Sequence, residues 1–303
     1  MRELIYKHRY RVILFVLFAS YVLFFFSFYI ISTRIEISKN PVILAAAAAQ
    51  SDKKSYELTK NDIKNITELD LSYTELSDIK YLSVFTNLKK LNLNGIYTPI
   101  DNKLNCKEVI CQAVNINVSK GEYIDLEPLR KLDKLESLSI GYHVRVKNIE
   151  AISTLSNLKE LSLKYSCDFN DISSIARFKN LETLCLHGTQ ISDIGPVRNL
   201  KKLRNLNISC TSVSDLGPLR NLRRLRAINL SYSDVQNLER VRKLNNLKYL
   251  DISGTAISDL TPVKNLKNLQ TLMIKDCCNI KNEQVKDLQK ILPQLNIYSD
   301  IIG

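Results

Sequence analysis

Residues 247–268 read Leu-Lys-Tyr-Leu-Asp-Ile-Ser-Gly-Thr-Ala-Ile-Ser-Asp-Leu-Thr-Pro-Val-Lys-Asn-Leu-Lys-Asn, and this stretch decides the fold. Its first six residues alternate apolar and polar, the period-two pattern of a short strand with one buried face. Its remaining apolar residues, Ile257, Leu260, Val263 and Leu266, fall three apart. That spacing suits a tight 3₁₀ turn better than a long α-helix, because side chains three apart then share one side. Outward from this stretch, the opening Leu-x-x-Leu-x-(Leu/Ile) starts at Leu181, Leu203, Leu225, Leu247 and Leu269, each 22 residues after the last. Going backwards it starts at Leu158, Leu135, Leu88 and Ile66. The 47-residue gap between 88 and 135 is two units wide, and a degenerate copy, Cys111, Val114 and Ile116, is expected to fill it. A fixed period of this length marks a solenoid, in which no unit covers its own apolar side and stacking buries it.

Each unit carries its own punctuation. Ser192-Asp193, Ser214-Asp215 and Ser258-Asp259 are placed to cap the turn, and Pro196, Pro218 and Pro262 fix φ at its start. On this motif the chain resembles the leucine-rich repeat family, and specifically the 22-residue class found in bacterial internalins and in a eukaryotic phosphatase-regulating subunit. One position departs from that class, where Asn is common at the ninth place and Thr189, Thr211, Ser233 and Thr255 stand here. A hydroxyl can still bond the backbone of the bend. The resemblance implies an α/β leucine-rich-repeat solenoid of about ten repeats. Short parallel strands would line its concave face and mostly 3₁₀ turns its convex one. The repeats are expected over 63–278, closed by a capping repeat over 279–303. There an amphipathic stretch, Asn282 to Leu292, is followed by Pro293 and a last strand, Leu295 to Tyr298.

The first residues need a different account. Val12 to Ile31 is a run of 20 residues without a charge, about 30 Å as a helix and enough to cross a bilayer core. Arg2, Lys7, Arg9 and Arg11 precede it, and only Arg34 and Lys39 follow closely. The positive-inside rule then makes 1–11 a cytoplasmic tail, 12–32 a transmembrane signal anchor and 33–62 a tether, with the repeats across the membrane. A cleaved signal peptide is the rival reading; the apolar run is too long for one, and Ala45 to Ala49 lies too far beyond it.

Composition narrows the function. The net charge is +12, and between Val197 and Leu250 twelve Lys or Arg stand against Asp215, Asp234 and Glu239. Arg198, Lys201, Lys202, Arg220, Arg223, Arg224, Arg240, Arg242 and Lys243 would stack into a basic edge. Such an edge is either a solvated flank or a footprint for an acidic protein, anionic glycan or lipid head groups. Nucleic acid is disfavoured, since the topology puts this edge away from the cytoplasm. The exposed strand residues form a wall on which Tyr73, Tyr142, Tyr165, Tyr232 and Tyr249 recur, with Lys164, His187, Arg204 and Arg226. Exposed tyrosines are hot-spot residues at interfaces, and this wall is the candidate site for a protein partner of unknown identity. The alternative is that the rings pack on the neighbouring bend and stiffen it.

No catalytic constellation emerges. His8, His143 and His187 are the only histidines, and no metal-ligand spacing or Gly-rich phosphate loop occurs. The reading is therefore a non-enzymatic chain without cofactor or metal. Of seven cysteines, most are expected to be small fillers, with Cys106 and Cys111 close enough in sequence to pair.

Overall fold

The computed structural model describes residues 36–76, 78–96, 123–142, 144–166 and 169–300. Ten short parallel strands build one sheet: β1 (Glu68–Asp70), β2 (Lys90–Asn92), β4 (Ser137–Ser139), β6 (Glu160–Ser162), β7 (Thr183–Cys185), β8 (Asn205–Asn207), β9 (Ala227–Asn229), β10 (Tyr249–Asp251), β11 (Thr271–Met273) and β12 (Asn296–Tyr298), in that order. Each strand except β12 is the middle of one (Leu/Ile)-x-x-(Leu/Ile)-x-(Leu/Ile) motif. Its central residue, such as Leu184 or Leu250, points into the core, and the flanking residues face out. Register follows the repeat, so Leu184 pairs with Leu206, Leu206 with Ile228 and Ile228 with Leu250.

Opposite the strands run 3₁₀ turns, among them Gly195–Asn199, Gly217–Leu219 and Thr261–Asn265. The expected caps hold in a specific form: Asp193, Asp215 and Asp259 each accept, through Oδ1, from the backbone N–H two residues on, at 2.6, 2.7 and 2.8 Å. Proline sits in the first turn of all three. The ninth-position hydroxyls are buried, and Thr189, Thr211 and Thr255 donate to the carbonyls of Leu186, Ile208 and Ile252 at 2.7, 2.6 and 2.6 Å. They close the bend without an asparagine.

Two expectations are corrected. First, β2 pairs directly with β4, Lys90 opposite Ser137, so no rung separates them. Cys111, Val114 and Ile116 lie outside the described residues. Where the chain returns, β3 (Ile124–Asp125) pairs with β5 (Val146–Lys147) in a separate two-stranded sheet. The ten strands are nine repeats and a closing strand. Second, residues 33–62 are not a simple tether. From residue 36 the chain folds onto the first repeat: α1 (Pro41–Ser51) starts at Asn40, whose side chain accepts from Ile43 N–H, and ends at Asp52 with φ of 52°. Ile43 and Ala47, one turn apart, are buried. Helix α2 (Lys60–Asn65) follows behind a reciprocal Thr59–Asp62 capping box and buries Ile63. This cap covers the edge of β1, which would otherwise present unpaired backbone groups.

At the other end, α3 (Asn282–Ile291) and β12 form the expected closing unit. Gln284 fastens it by donating to Ser258 O and accepting from Leu260 N–H. No helix among the described residues is long and apolar enough to cross a membrane. The anchor expected over 12–32 lies outside them, as do His143 and the cysteines at 106, 111 and 167. Cys185, Cys277 and Cys278 are free thiols.

Candidate functional site

The eighth position of every described repeat has left-handed backbone. It is filled by Tyr73, Gly95, Tyr142, Tyr165, Gly188, Cys210, Tyr232, Gly254 and Asp276, with φ between 53° and 67°. A side chain there leaves the bend along the stacking direction and lies over the next repeat. A Cβ built on Gly188 would fall 2.5 Å from Cδ1 of Tyr165, and one on Gly254 would fall 2.4 Å from Cδ1 of Tyr232. Tyr73 covers Gly95 in the same way. The rings therefore do pack on neighbouring bends, and they still present surface: Tyr73 is 55% exposed and Tyr232 47%.

Four rings meet in one row. Tyr73 and Tyr142 have centroids 5.8 Å apart, Tyr142 and Tyr165 5.5 Å, and Tyr165 and His187 4.6 Å, all inclined at 59–68°. Such tilted contacts suit the ring quadrupole. Lys164 sets its ammonium 5.3 Å from the Tyr142 centroid and 5.1 Å from that of Tyr165. His187 Nδ1 lies 2.6 Å from Ser209 Oγ, and burial, helped by the Lys164 charge, holds its imidazole below the usual histidine range. Tyr232 stands apart from this row, its phenol donating to Asp276 at 2.5 Å. Tyr249 is tied to its own strand by a 3.3 Å bond to Asp251, and burial followed by that carboxylate pushes its phenol up to about 12.

The cations divide differently from the sequence expectation. Arg204 and Arg226 border, together with Arg224 and Lys248, an open cleft of 370 Å³ that Asn246 and Asn268 also line. On the turn side Arg198, Lys201 and Arg220 border one depression, and Arg220, Arg223, Arg240, Arg242 and Lys243 border the next. Arg242 is paired with Glu239 at 3.0 Å, and Arg198 bonds Gly195 O at 2.9 Å. Lys202 donates to Asn180 at 2.6 Å. The basic edge is thus two turn-side hollows and one strand-side cleft. Among the described residues no group of three or more His, Cys, Asp or Glu could hold a metal ion.

Sequence reasoning missed an asparagine ladder. Asn87, Asn157, Asn180, Asn246 and Asn268 each precede a repeat's first leucine and donate Nδ2 to a carbonyl 23 or 24 residues back, at 2.7–2.9 Å. The recurring dipeptide Asn-Leu was its signal.

A leucine-rich-repeat model spanning two copies matches residues 179–221. The fold is that of a leucine-rich-repeat protein. Among solved structures, an internalin (inlF) from Listeria monocytogenes is 25% identical with a TM-score of 0.67, over 85% of this chain and 67% of that one. Internalin C2 from the same organism is 26% identical with a TM-score of 0.64, over 77% of this chain and 92% of that one. A plant peptide hormone receptor, RGFR1, solved in complex with RGF2, shares the fold at 20% identity and a TM-score of 0.54, over 80% of this chain and 37% of that one. No curated protein matches in sequence.

Proposed function

We propose that this chain is a non-enzymatic interaction module, held at a membrane by residues 12–32, that binds a protein partner on the exposed face of its strand sheet. The observation that carries this reading is the continuous row Tyr73–Tyr142–Tyr165–His187, with Lys164 between its rings. Rings fixed by their neighbours lose little entropy on binding and offer apolar area with a polar tip, which is the composition of a hot spot. A leucine-rich-repeat solenoid is typical of protein–protein interaction modules. Membrane attachment is supported by the uncharged run Val12 to Ile31 and its basic flank.

Photo-crosslinking tests the wall. A benzophenone amino acid at Tyr73, on the row, is expected to give a discrete protein adduct, and one at Arg198, on the turn side, is expected to give none. The same adduct from both faces, or none from either, refutes the reading. Protease protection with a tag at each end tests the tether. Digestion of the C-terminal tag in intact cells places the repeats outside the cytoplasm; its protection makes the solenoid an intracellular scaffold.

A further inference from the structure

We infer that the strand-side arginine cleft is a second recognition site, built to take the clustered carboxylates of a short acidic segment on the protein partner. It rests on the protein-binding reading above and adds to it where and with what charge the partner is held.

The repeats supply an internal comparison. At the place before each first leucine, five repeats have an asparagine bonded to the backbone of the repeat before. Two have lysines that serve the same ladder, Lys134 donating to Asn87 and Lys202 to Asn180. Arg224 alone among these does neither, and its side chain makes no hydrogen bond or ion pair among the described residues. A scaffold bond has been given up there for an unpaired cation.

The next row tells the same story. At the second position Lys89, Glu136, Lys159 and Glu182 alternate in sign, with Lys159 bound to Glu136 at 2.6 Å. Alternation of this kind stabilises neighbouring strands. It stops at Arg204, which is 3.1 Å from Glu182; Arg226 and Lys248 follow with no acidic neighbour, and Gln270 ends the run. Register places these three cations immediately before adjacent strands, roughly 4.8 Å apart. Like charges so close repel, and two adjacent positions break the in-chain rule at one place. Local conflicts concentrated at one spot mark function.

The shape of the run selects the ligand. Arginine forks match carboxylates in pairs, and Asn246 and Asn268 border the same cleft. A long polyanion laid along the row would next meet Glu182 on one side and the uncharged Gln270 on the other. The cationic stretch is three strands wide, or roughly 10 Å, which fits two or three carboxylates of a compact segment.

The test titrates the full chain in mild detergent with a fluorescent hexapeptide of alternating Asp and Glu. Its amide counterpart of Asn and Gln and a sulfated heparin-derived decasaccharide are the other probes. The acidic peptide is expected to bind, the amide peptide not. Arg224→Asn combined with Arg226→Gln is expected to weaken the acidic peptide roughly tenfold or more. Arg220→Gln with Arg242→Gln, on the turn side, is expected to leave it within about twofold. Arg224→Asn installs the residue that the ladder uses elsewhere, so its melting temperature is expected to hold or rise, which separates binding loss from unfolding. Equal binding by both double variants overturns the proposal, as does preference for the decasaccharide with equal loss from both edges. Either failure leaves the crosslinking result at Tyr73 untouched, so the two readings fall separately.

Discussion

Replacing Gly254 by alanine should unsettle the solenoid through two effects that can be separated. The backbone at Gly254 has φ of 65°, and a Cβ in that region costs roughly 1–2 kcal/mol. The new Cβ would also lie 2.4 Å from Cδ1 and Cε1 of Tyr232, where carbon atoms prefer about 3.5–4.0 Å. The ring is half exposed and can swing away, but only by breaking its 2.5 Å bond to Asp276. That bond lies in solvent, so its loss with the ring contact is worth about 1 kcal/mol and no more. The sum is about 2–3 kcal/mol, or roughly 4–12 °C in melting temperature. Tyr232→Gly removes the obstructing ring and relaxes a second left-handed residue. In that background Gly254→Ala should cost only the backbone part, roughly 1–2 kcal/mol. Repeat arrays can lose cooperativity, so amide exchange should accompany the melts. The Gly254 N–H, which donates to Lys275 O at 2.8 Å, reports on this bend directly. An identical cost in both backgrounds, additive to within about 0.3 kcal/mol, refutes the ring-over-glycine account.

Three further outcomes are expected. At Gly141 a Cβ would lie 2.2 Å from the backbone carbonyl of Lys164, which cannot swing aside, so Gly141→Ala should cost about 3 kcal/mol, and a loss below about 1 kcal/mol by urea titration would show the neighbouring repeat yields freely. Asn180→Ala removes the bond to Ser156 O and the acceptor of Lys202, and should cost about 1 kcal/mol, measured by thermal melting against Asn199→Ala as a control. His187 binds its proton less readily folded than unfolded, because of burial and Lys164, so its contribution to stability is complete above about pH 6.5 and is lost as pH falls through the lowered folded value. Melting temperature should therefore drop between pH 7 and 5 more steeply in the native chain than in His187→Gln, and parallel curves would exclude the histidine.

Much of the fold was legible because one repeat fixes three things at once. Period-two apolar residues set the strand, threefold spacing sets the turn, and 22 residues set the register, so Leu184, Leu206, Ile228 and Leu250 had to line up. The two ends of the solenoid were read unequally for a physical reason. The terminal helix has polar and apolar faces that announce themselves, whereas α1 is mostly alanine and aliphatic residues on every side, which gives no face to read. The gap before Leu135 misled because arithmetic permits a degenerate repeat wherever its length fits, and only pairing of β2 with β4 shows that the sheet skips it. The wall tyrosines were found by their recurrence, but the division of the cations was not. Repeat position says which edge a residue joins; it does not say which neighbour neutralises it.

The eighth position carries a rule that connects scaffold and site. A ring there covers the following bend, so the next repeat must offer either glycine or another ring. Tyr73 is followed in the sheet by Gly95, Tyr165 by Gly188 and Tyr232 by Gly254, while Tyr142 is followed by Tyr165 in edge contact. After each glycine, which covers nothing, a side chain returns as Tyr142, Cys210 or Asp276. The tyrosines of the wall are therefore spaced by a steric condition, and the surface they offer is rigid because the bend beneath each ring was emptied to receive it. This makes ring removal a poor probe of binding, since it strips scaffold and contact together. Changing the polar tip alone, as in Tyr165→Phe, keeps the ring over Gly188 while changing the surface that a partner would meet.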